Sequence, residues 1–302
     1  CRRQAYPCTV TFLSPVYEKF PLSKFNLTIH FHCARTWYKI KHRKCDEMEF
    51  YRSNGERIHY EIIGKGFPVV FLHGNNLESG YFKKQRVLSK YYKLIFVDSL
   101  GHGKSGDILG KISFSYLADS LDELLSYLNI EKCLLVGHSD GANLAIKYAA
   151  LYKNRVAGIL ANSGNITFKG LKFLPGYACY FEEVLYKTLG IIFPFFKRRA
   201  KVSPLLHEDL NIPKEVFSKS NYPVIVLVGD HDMIKRDHSI AIAKLFPQGK
   251  FIERKNQGHN IPKKDSNYFN KTISKMVSYI QSCTMWFAIL QGGKYAKDNL
   301  YF

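Results

Sequence analysis

The chain has 302 residues, 46% of them hydrophobic, enough for one large domain with a sizeable core. Its formal net charge of +19 raises the question of nucleic acid, but no helix-turn-helix, zinc-finger or RNA-recognition pattern accompanies the charge. Much of the excess sits in the flanks, at Arg2, Arg3, Lys39, Lys41, Arg43, Lys44, Lys294 and Lys297, so we read it as solvated surface with no nucleic-acid partner.

No segment is long and apolar enough to cross a bilayer, and Glu18, Lys19 and Lys24 interrupt any secretory core near the N-terminus. The cysteines (Cys1, Cys8, Cys33, Cys45, Cys133, Cys179 and Cys283) are odd in number, scattered and without metal-ligand spacing. They make no disulfide framework, and a cytoplasmic location is the expectation.

Residues 1–47 are basic and aromatic without a clear period, and we read them as a leader of unassigned structure. An orderly pattern begins at Met48. Apolar alternation over 48–52 and 57–63 flanks Ser53-Asn54-Gly55, which predicts a hairpin. A short strand over 68–72 ends in His73-Gly74-Asn75-Asn76, a helix follows over 78–92, and a strand over 94–97 ends at Asp98. Leu117, Leu121, Leu124, Leu125 and Leu128 keep helical spacing within 114–128. Further strands are expected over 132–136, 156–160, 223–228 and 250–252, with helices over 142–152, 239–246 and 268–280. Apolar strands alternating with helices predict an α/β fold, a parallel sheet covered on both faces. Residues 284–302 are read as a tail, the end of it resembling linker sequence.

About sixty residues separate the strands near 161 and 223, far more than a crossover loop needs. The interval is rich in aromatics, among them Phe168, Phe173, Tyr177, Tyr180, Phe181 and Phe195, and reads as a small helical lid inserted over about 163–221. Inside it Ile191-Ile192-Phe193-Pro194-Phe195-Phe196 precedes Lys197-Arg198-Arg199-Ala200-Lys201. A membrane-surface contact is one reading; the sequence alone favours a solvated helix end.

The chemistry centres on Gly137-His138-Ser139-Asp140-Gly141, which lies between an apolar strand and a helix. A serine in such a turn is forced into a sparsely allowed backbone conformation that projects its hydroxyl from the sheet. The flanking glycines are needed where strand and helix crowd together. Ser139 is the candidate nucleophile, and a serine hydroxyl needs a neighbouring base.

Five stretches together resemble the α/β-hydrolase family, in its lid-bearing serine hydrolase branch. They are His73-Gly74, the segment from Asp98 to Ser105, the Ser139 turn, Gly229-Asp230-His231-Asp232 and Gly258-His259-Asn260. The resemblance runs from about 48 to 283. It implies a three-layer α/β/α sandwich with a mostly parallel eight-stranded sheet under a lid. It further implies a catalytic Ser139, His259 and Asp232, in the chain order serine, acid, histidine. Asp230 is the alternative acid, read as a turn cap through side-chain hydrogen bonds. The oxyanion donors are expected to be the N–H groups of Asp140, at a helix start, and Asn75, with the Asn75 side chain as a conjectural third contact. His73 and Asp98 are read as loop braces, and His102, His138 and His231 as packing or turn residues. The family commonly has an arginine where this chain has Leu100, which puts one loop contact in doubt.

A serine at the turn, where epoxide hydrolases and haloalkane dehalogenases of this fold use aspartate, points to acyl transfer to water. The implied activity is hydrolysis of a carboxylic ester or lactone, with a small apolar or acyl-bearing substrate. No cofactor or metal is called for, since base, acid and donors are protein groups. The alternatives are a small-molecule receptor, or thioester, carbon–carbon, haloperoxidase-like or acyl-transfer chemistry on the same scaffold. Oligomeric state is not readable from the sequence.

Overall fold

The computed structural model describes residues 46–290, so residues 1–45 of the expected leader and 291–302 of the expected tail lie outside the described residues, while 46–47 fall in the first strand and 284–290 in the last helix. Eight strands form one sheet: β1 (Asp46–Tyr51), β2 (Arg57–Ile63), β3 (Pro68–Leu72), β4 (Lys93–Val97), β5 (Cys133–His138), β6 (Val156–Asn162), β7 (Val224–Gly229) and β8 (Gly249–Arg254). Their order is β1-β2-β4-β3-β5-β6-β7-β8. β2 runs antiparallel to both neighbours and every other pair is parallel, the mostly parallel eight-stranded α/β sheet expected from the sequence. The predicted hairpin closes at Gly55, whose φ of 87° only glycine adopts readily.

The sheet is sandwiched. Successive residues of β3 alternate faces, so Val70 and Leu72 join one apolar cluster while Val69 and Phe71 join the other. The first cluster packs under α1 (Phe114–Tyr127) and α2 (Asp140–Leu151). The second packs under α7 (Ser266–Leu290) and the 79–90 segment. Burial on both faces explains why β5 reads as a continuous apolar run rather than an alternating one. Ser113 starts α1 by accepting the Tyr116 N–H at 3.1 Å, and the predicted leucines at 117, 121, 124 and 125 are all buried.

Two expectations change. The helix expected over 78–92 is a kinked 3-10 stretch, Ser79–Lys90, with Phe82 outside helical geometry at φ −91° and ψ 24°. Asp98 caps the segment by accepting the Ser79 N–H, one of the first-turn donors that no helix satisfies internally, and the kink falls at Phe82, which is fully buried. The last helix begins earlier and ends later than 268–280, since its apolar stripe Phe269, Ile273, Met276, Val277 and Ile280 lies against the sheet along its length.

Between β6 and β7 lie α3 (Phe173–Leu189) and α4 (Pro194–Val202), with short 3-10 turns at Ser203–His207 and Lys214–Phe217. α5 (Arg236–Lys244) and α6 (Ile261–Lys264) complete the described helices. The carboxyl ends of β3, β5, β6, β7 and β8 gather the loops that carry the candidate residues, as open α/β sheets do.

Candidate active site

Ser139 has φ 53° and ψ −122°, the strained turn between β5 and α2 that the sequence predicts. The glycines around it are obligatory on contact grounds. A Cβ on Gly141 would stand 1.9 Å from the Leu72 carbonyl oxygen, and one on Gly137 2.2 Å from that of Gly141. The turn is also tied down: the Ser139 N–H donates to the Asn162 carbonyl at 2.8 Å, and the Ser139 carbonyl accepts from Ala142 at 2.8 Å. Strain persists because these bonds and contacts leave no alternative path for the chain.

Asp232 and His259 are brought together. His259 Nδ1 lies 2.9 Å from Asp232 Oδ1, and the acid is buried. Asp232 Oδ2 accepts the Ser163 hydroxyl at 2.5 Å, and Oδ1 also accepts the Ile234 N–H at 3.2 Å. Burial opposes ionisation of Asp232, but these bonds and the imidazole outweigh it and hold the carboxyl below its usual range. With Nδ1 committed to the acid, Nε2 is the nitrogen left to act as a base. The His259 ring sits 4.8 Å, centroid to centroid, from that of His138, the residue preceding Ser139. Asp230 is elsewhere: it is exposed and accepts the N–H groups of Asn256 at 3.0 Å and Gln257 at 3.1 Å, the turn-capping role.

On the other side of Ser139, Gly74 approaches so closely that a Cβ there would be 3.0 Å from the Ser139 Cβ. Buried His73 accepts the Ser99 N–H at Nε2 (3.1 Å), which leaves Nδ1–H to donate to the Gly74 carbonyl at 2.8 Å. Burial keeps its imidazole neutral by lowering the pKa. The conjectured third contact from the Asn75 side chain takes a different partner, since Asn75 Nδ2 donates to Asp140 Oδ2 at 2.9 Å. Desolvation pushes the Asp140 carboxyl up to about 6 in spite of that bond. The Asn75 amide gives this carboxyl a hydrogen-bond donor but no countercharge.

The surrounding loops are braced by groups the sequence only partly flags. Asp98 accepts the N–H of Ser79 at 2.6 Å and of Lys104 at 2.9 Å and lies 2.9 Å from His59 Nδ1, so it ties three segments together. Leu100 is fully buried, and Arg198 from α4 reaches the carbonyls of His102 (3.2 Å), Gly103 (3.1 Å) and Ser105. An arginine of the inserted segment thus braces the loop where the resemblance leads one to expect an arginine in the loop itself. His138 stacks on Tyr81 at 4.5 Å with its Nδ1 3.0 Å from Asn162 Oδ1. Its pKa falls to about 3, through burial first and then the neighbouring His259. Sequence reasoning missed Ser163, Asn162 and Tyr81; the available signal was Asn162-Ser163-Gly164 closing a strand at the site's end of the sheet.

A cavity of about 590 Å³ opens beside these loops, lined by Asn76, Tyr81, His102, Phe195, Arg199 and Lys263 among others. Ser139, Asp232 and His259 are not in its lining; the cavity lies between the loop after β3 and the start of α4.

Comparison with known proteins agrees with this architecture. A family model for the alpha/beta hydrolase fold matches residues 68–189. An AB hydrolase superfamily protein of Bacillus subtilis is 32% identical over 207 residues, 63% of this chain and 76% of that protein. A cis-3-alkyl-4-alkyloxetan-2-one decarboxylase of Shewanella oneidensis is 33% identical over 135 residues, 43% of this chain and 42% of that one. The chain spans about a third of the length of other curated relatives, such as uncharacterized mycobacterial proteins matched over 36% of theirs. Among solved structures, a thermophilic esterase from Thermogutta terrifontis superposes with TM-score 0.62 at 21% identity, over 78% of this chain and 98% of that one.

Proposed function

Because the chain belongs to the α/β-hydrolase fold family, we propose that it is a serine hydrolase that cleaves a carboxylic ester or lactone through an acyl-serine intermediate. The observation that carries this reading is the Asp232–His259 bond of 2.9 Å, with the His259 ring packed on His138, the residue that precedes a serine held at positive φ. In the proposed cycle His259 Nε2 takes the Ser139 proton as Oγ attacks the acyl carbon, and Asp232 offsets the imidazolium. The N–H groups of Asp140 and Asn75 receive the oxyanion, and one such donor contributes about 3–4 kcal/mol of barrier lowering. The alkoxide leaves with the proton from His259, and water then releases the acyl group by the same route in reverse order. The helical insertion acts as the lid that selects small apolar or acyl-bearing substrates.

The Shewanella relative is named for decarboxylating an oxetan-2-one, a four-membered lactone; that puts lactones among the substrates to test, while its reaction is not a hydrolysis. A cytoplasmic location is part of this reading. The test is a panel of p-nitrophenyl esters of rising acyl length with Ser139→Ala in parallel. Turnover that depends on Ser139 and peaks at one chain length is expected. Turnover that survives in Ser139→Ala would remove the assignment of the nucleophile. No turnover of any ester, together with ligand-induced stabilisation, would favour the receptor reading, and transfer to an added alcohol the acyltransferase.

A further inference from the structure

The outward face of the insertion has the composition of a surface built to meet lipid. Eleven of the eighteen large hydrophobic side chains exposed among the described residues fall between Phe173 and Phe195. Along α3, Phe173, Leu174, Tyr177, Phe181, Val184 and Leu185 recur at helical spacing and all face outward. The turn that follows presents Ile191 at 84% exposure and Ile192 at 72%. A surface helix of a protein that stays in water shows the opposite arrangement, and monomers rarely expose continuous apolar patches of more than a few hundred Å².

The exposed charges of the stretch itself have one sign, and Asp107, from the loop after β4, pairs with its Lys201 and Arg198. Between residues 172 and 201 every exposed charged side chain is a lysine: Lys172, Lys187, Lys197 and Lys201. The two acids of the stretch are turned inward, with Glu182 bonded to Asn76 and Tyr186, and Glu183 paired with Lys187 and His207. Apolar and aromatic side chains ringed by lysine stems suit the headgroup boundary of an anionic bilayer. A second copy of this chain suits the patch less, since two-fold pairing would bring the lysine rims face to face. The same segment borders the 590 Å³ cavity, because Pro194, Phe195 and Arg199 are in its lining. We propose that the 173–197 face docks this protein on anionic lipid surfaces, with that cavity held beside the interface. This goes beyond the hydrolase reading and is measured without turnover.

The full chain is floated with vesicles of phosphatidylcholine alone, and with vesicles that also carry about 30% phosphatidylglycerol, at about 0.1 and 0.5 M salt. Binding is expected on the anionic vesicles at low salt, and at least about tenfold less on neutral vesicles or at high salt. Ile191→Asp with Ile192→Asp, and separately Lys172→Gln with Lys197→Gln, should each weaken binding by about tenfold or more. Hydrolysis of a short water-soluble ester should be unchanged in both variants, as neither alters a residue of the site; equal loss of both signals would point to misfolding, and circular dichroism melts of the variants identify it. Failure of the unmodified protein to float with anionic vesicles overturns the proposal, as does full binding by a folded Ile191→Asp/Ile192→Asp variant. A dimer in water that this variant dissolves, with no flotation, would assign the face to a second copy instead.

Discussion

The serine turn and the inserted helices are held in place by opposite means. At the turn the backbone is over-determined: glycines at 137 and 141 admit no Cβ, and Ser139 sits at φ 53° because its N–H and carbonyl are both committed. In the insertion the backbone is ordinary helix, and what stands out is side-chain character, apolar and lysine-rich outward and acidic inward. Chemistry that tolerates little positional error is carried by the first kind of structure. A surface that selects or docks is carried by the second.

The largest effect expected at the turn is catalytic. On the proposed mechanism Ser139→Ala lowers kcat/KM for an activated ester by about 10³-fold or more, with Tm moved by only about 2 °C, since a hydroxyl is lost without a change of fold. An exposed residue of the insertion, Phe181→Ala, should keep turnover within about threefold and stability within about 0.5 kcal/mol. Steady-state kinetics and thermal melts on both variants check this. Comparable losses from the two substitutions would erase the division between the regions.

The two aspartates after β7 sharpen the contrast at the scale of two residues. Asp232→Asn should reduce kcat by about 10²–10⁴-fold, because the amide leaves His259 in the wrong tautomer or without a compensating charge. Asp230→Asn removes only an exposed turn cap and should lower stability slightly with near-normal turnover. A kinetic defect that followed Asp230 rather than Asp232 would overturn the assignment of the acid.

Glycines offer a test on stability alone. Gly141→Ala places a methyl 1.9 Å from the Leu72 carbonyl oxygen and should cost about 3 kcal/mol or more, enough to lower soluble yield. Gly176→Ala in α3 meets nothing nearer than a ring carbon of Phe168 at 3.4 Å and should be neutral or stabilise by up to about 1 kcal/mol. Denaturant midpoints with an unchanged slope are the readout.

The same division explains what could be read in advance. The turn was legible because G-x-S-x-G is a backbone instruction, whereas Asp232 was preferred to Asp230 on the family resemblance alone, since both lie just past the same strand. The strands over 57–63 and 68–72 were legible because apolar runs bounded by turn residues have one economical solution. Ser163 was not legible: its hydroxyl reaches Asp232 only because β6 and β7 are adjacent, and adjacency is a property of the sheet. The partner of the Asn75 side chain was not legible for a related reason, since its amide donates to a half-buried carboxyl, that of Asp140, 65 positions away. The 79–90 segment has a helical pattern in sequence but takes 3-10 geometry with a kink at Phe82, a residue buried in the core.

That carboxyl yields the smallest effect and the one with the most specific signature. Asp140 titrates near 6 in the folded protein against an ordinary value of 3.8, with burial as the main cause. Between those values the native state binds more protons than the unfolded chain, so its contribution to stability falls as pH rises from about 4 to about 6 and is level above that. Asp140→Asn removes the titration. The exchange of carboxyl for amide adds an offset that cancels when one pH is compared with another. The variant should therefore gain about 1–2 kcal/mol on the unmodified protein between pH 4 and pH 8, or about 2–6 °C in Tm. Parallel melting curves across that range would mean that Asp140 is solvated. The turn would then be held by backbone contacts alone, with no electrostatic cost to offset.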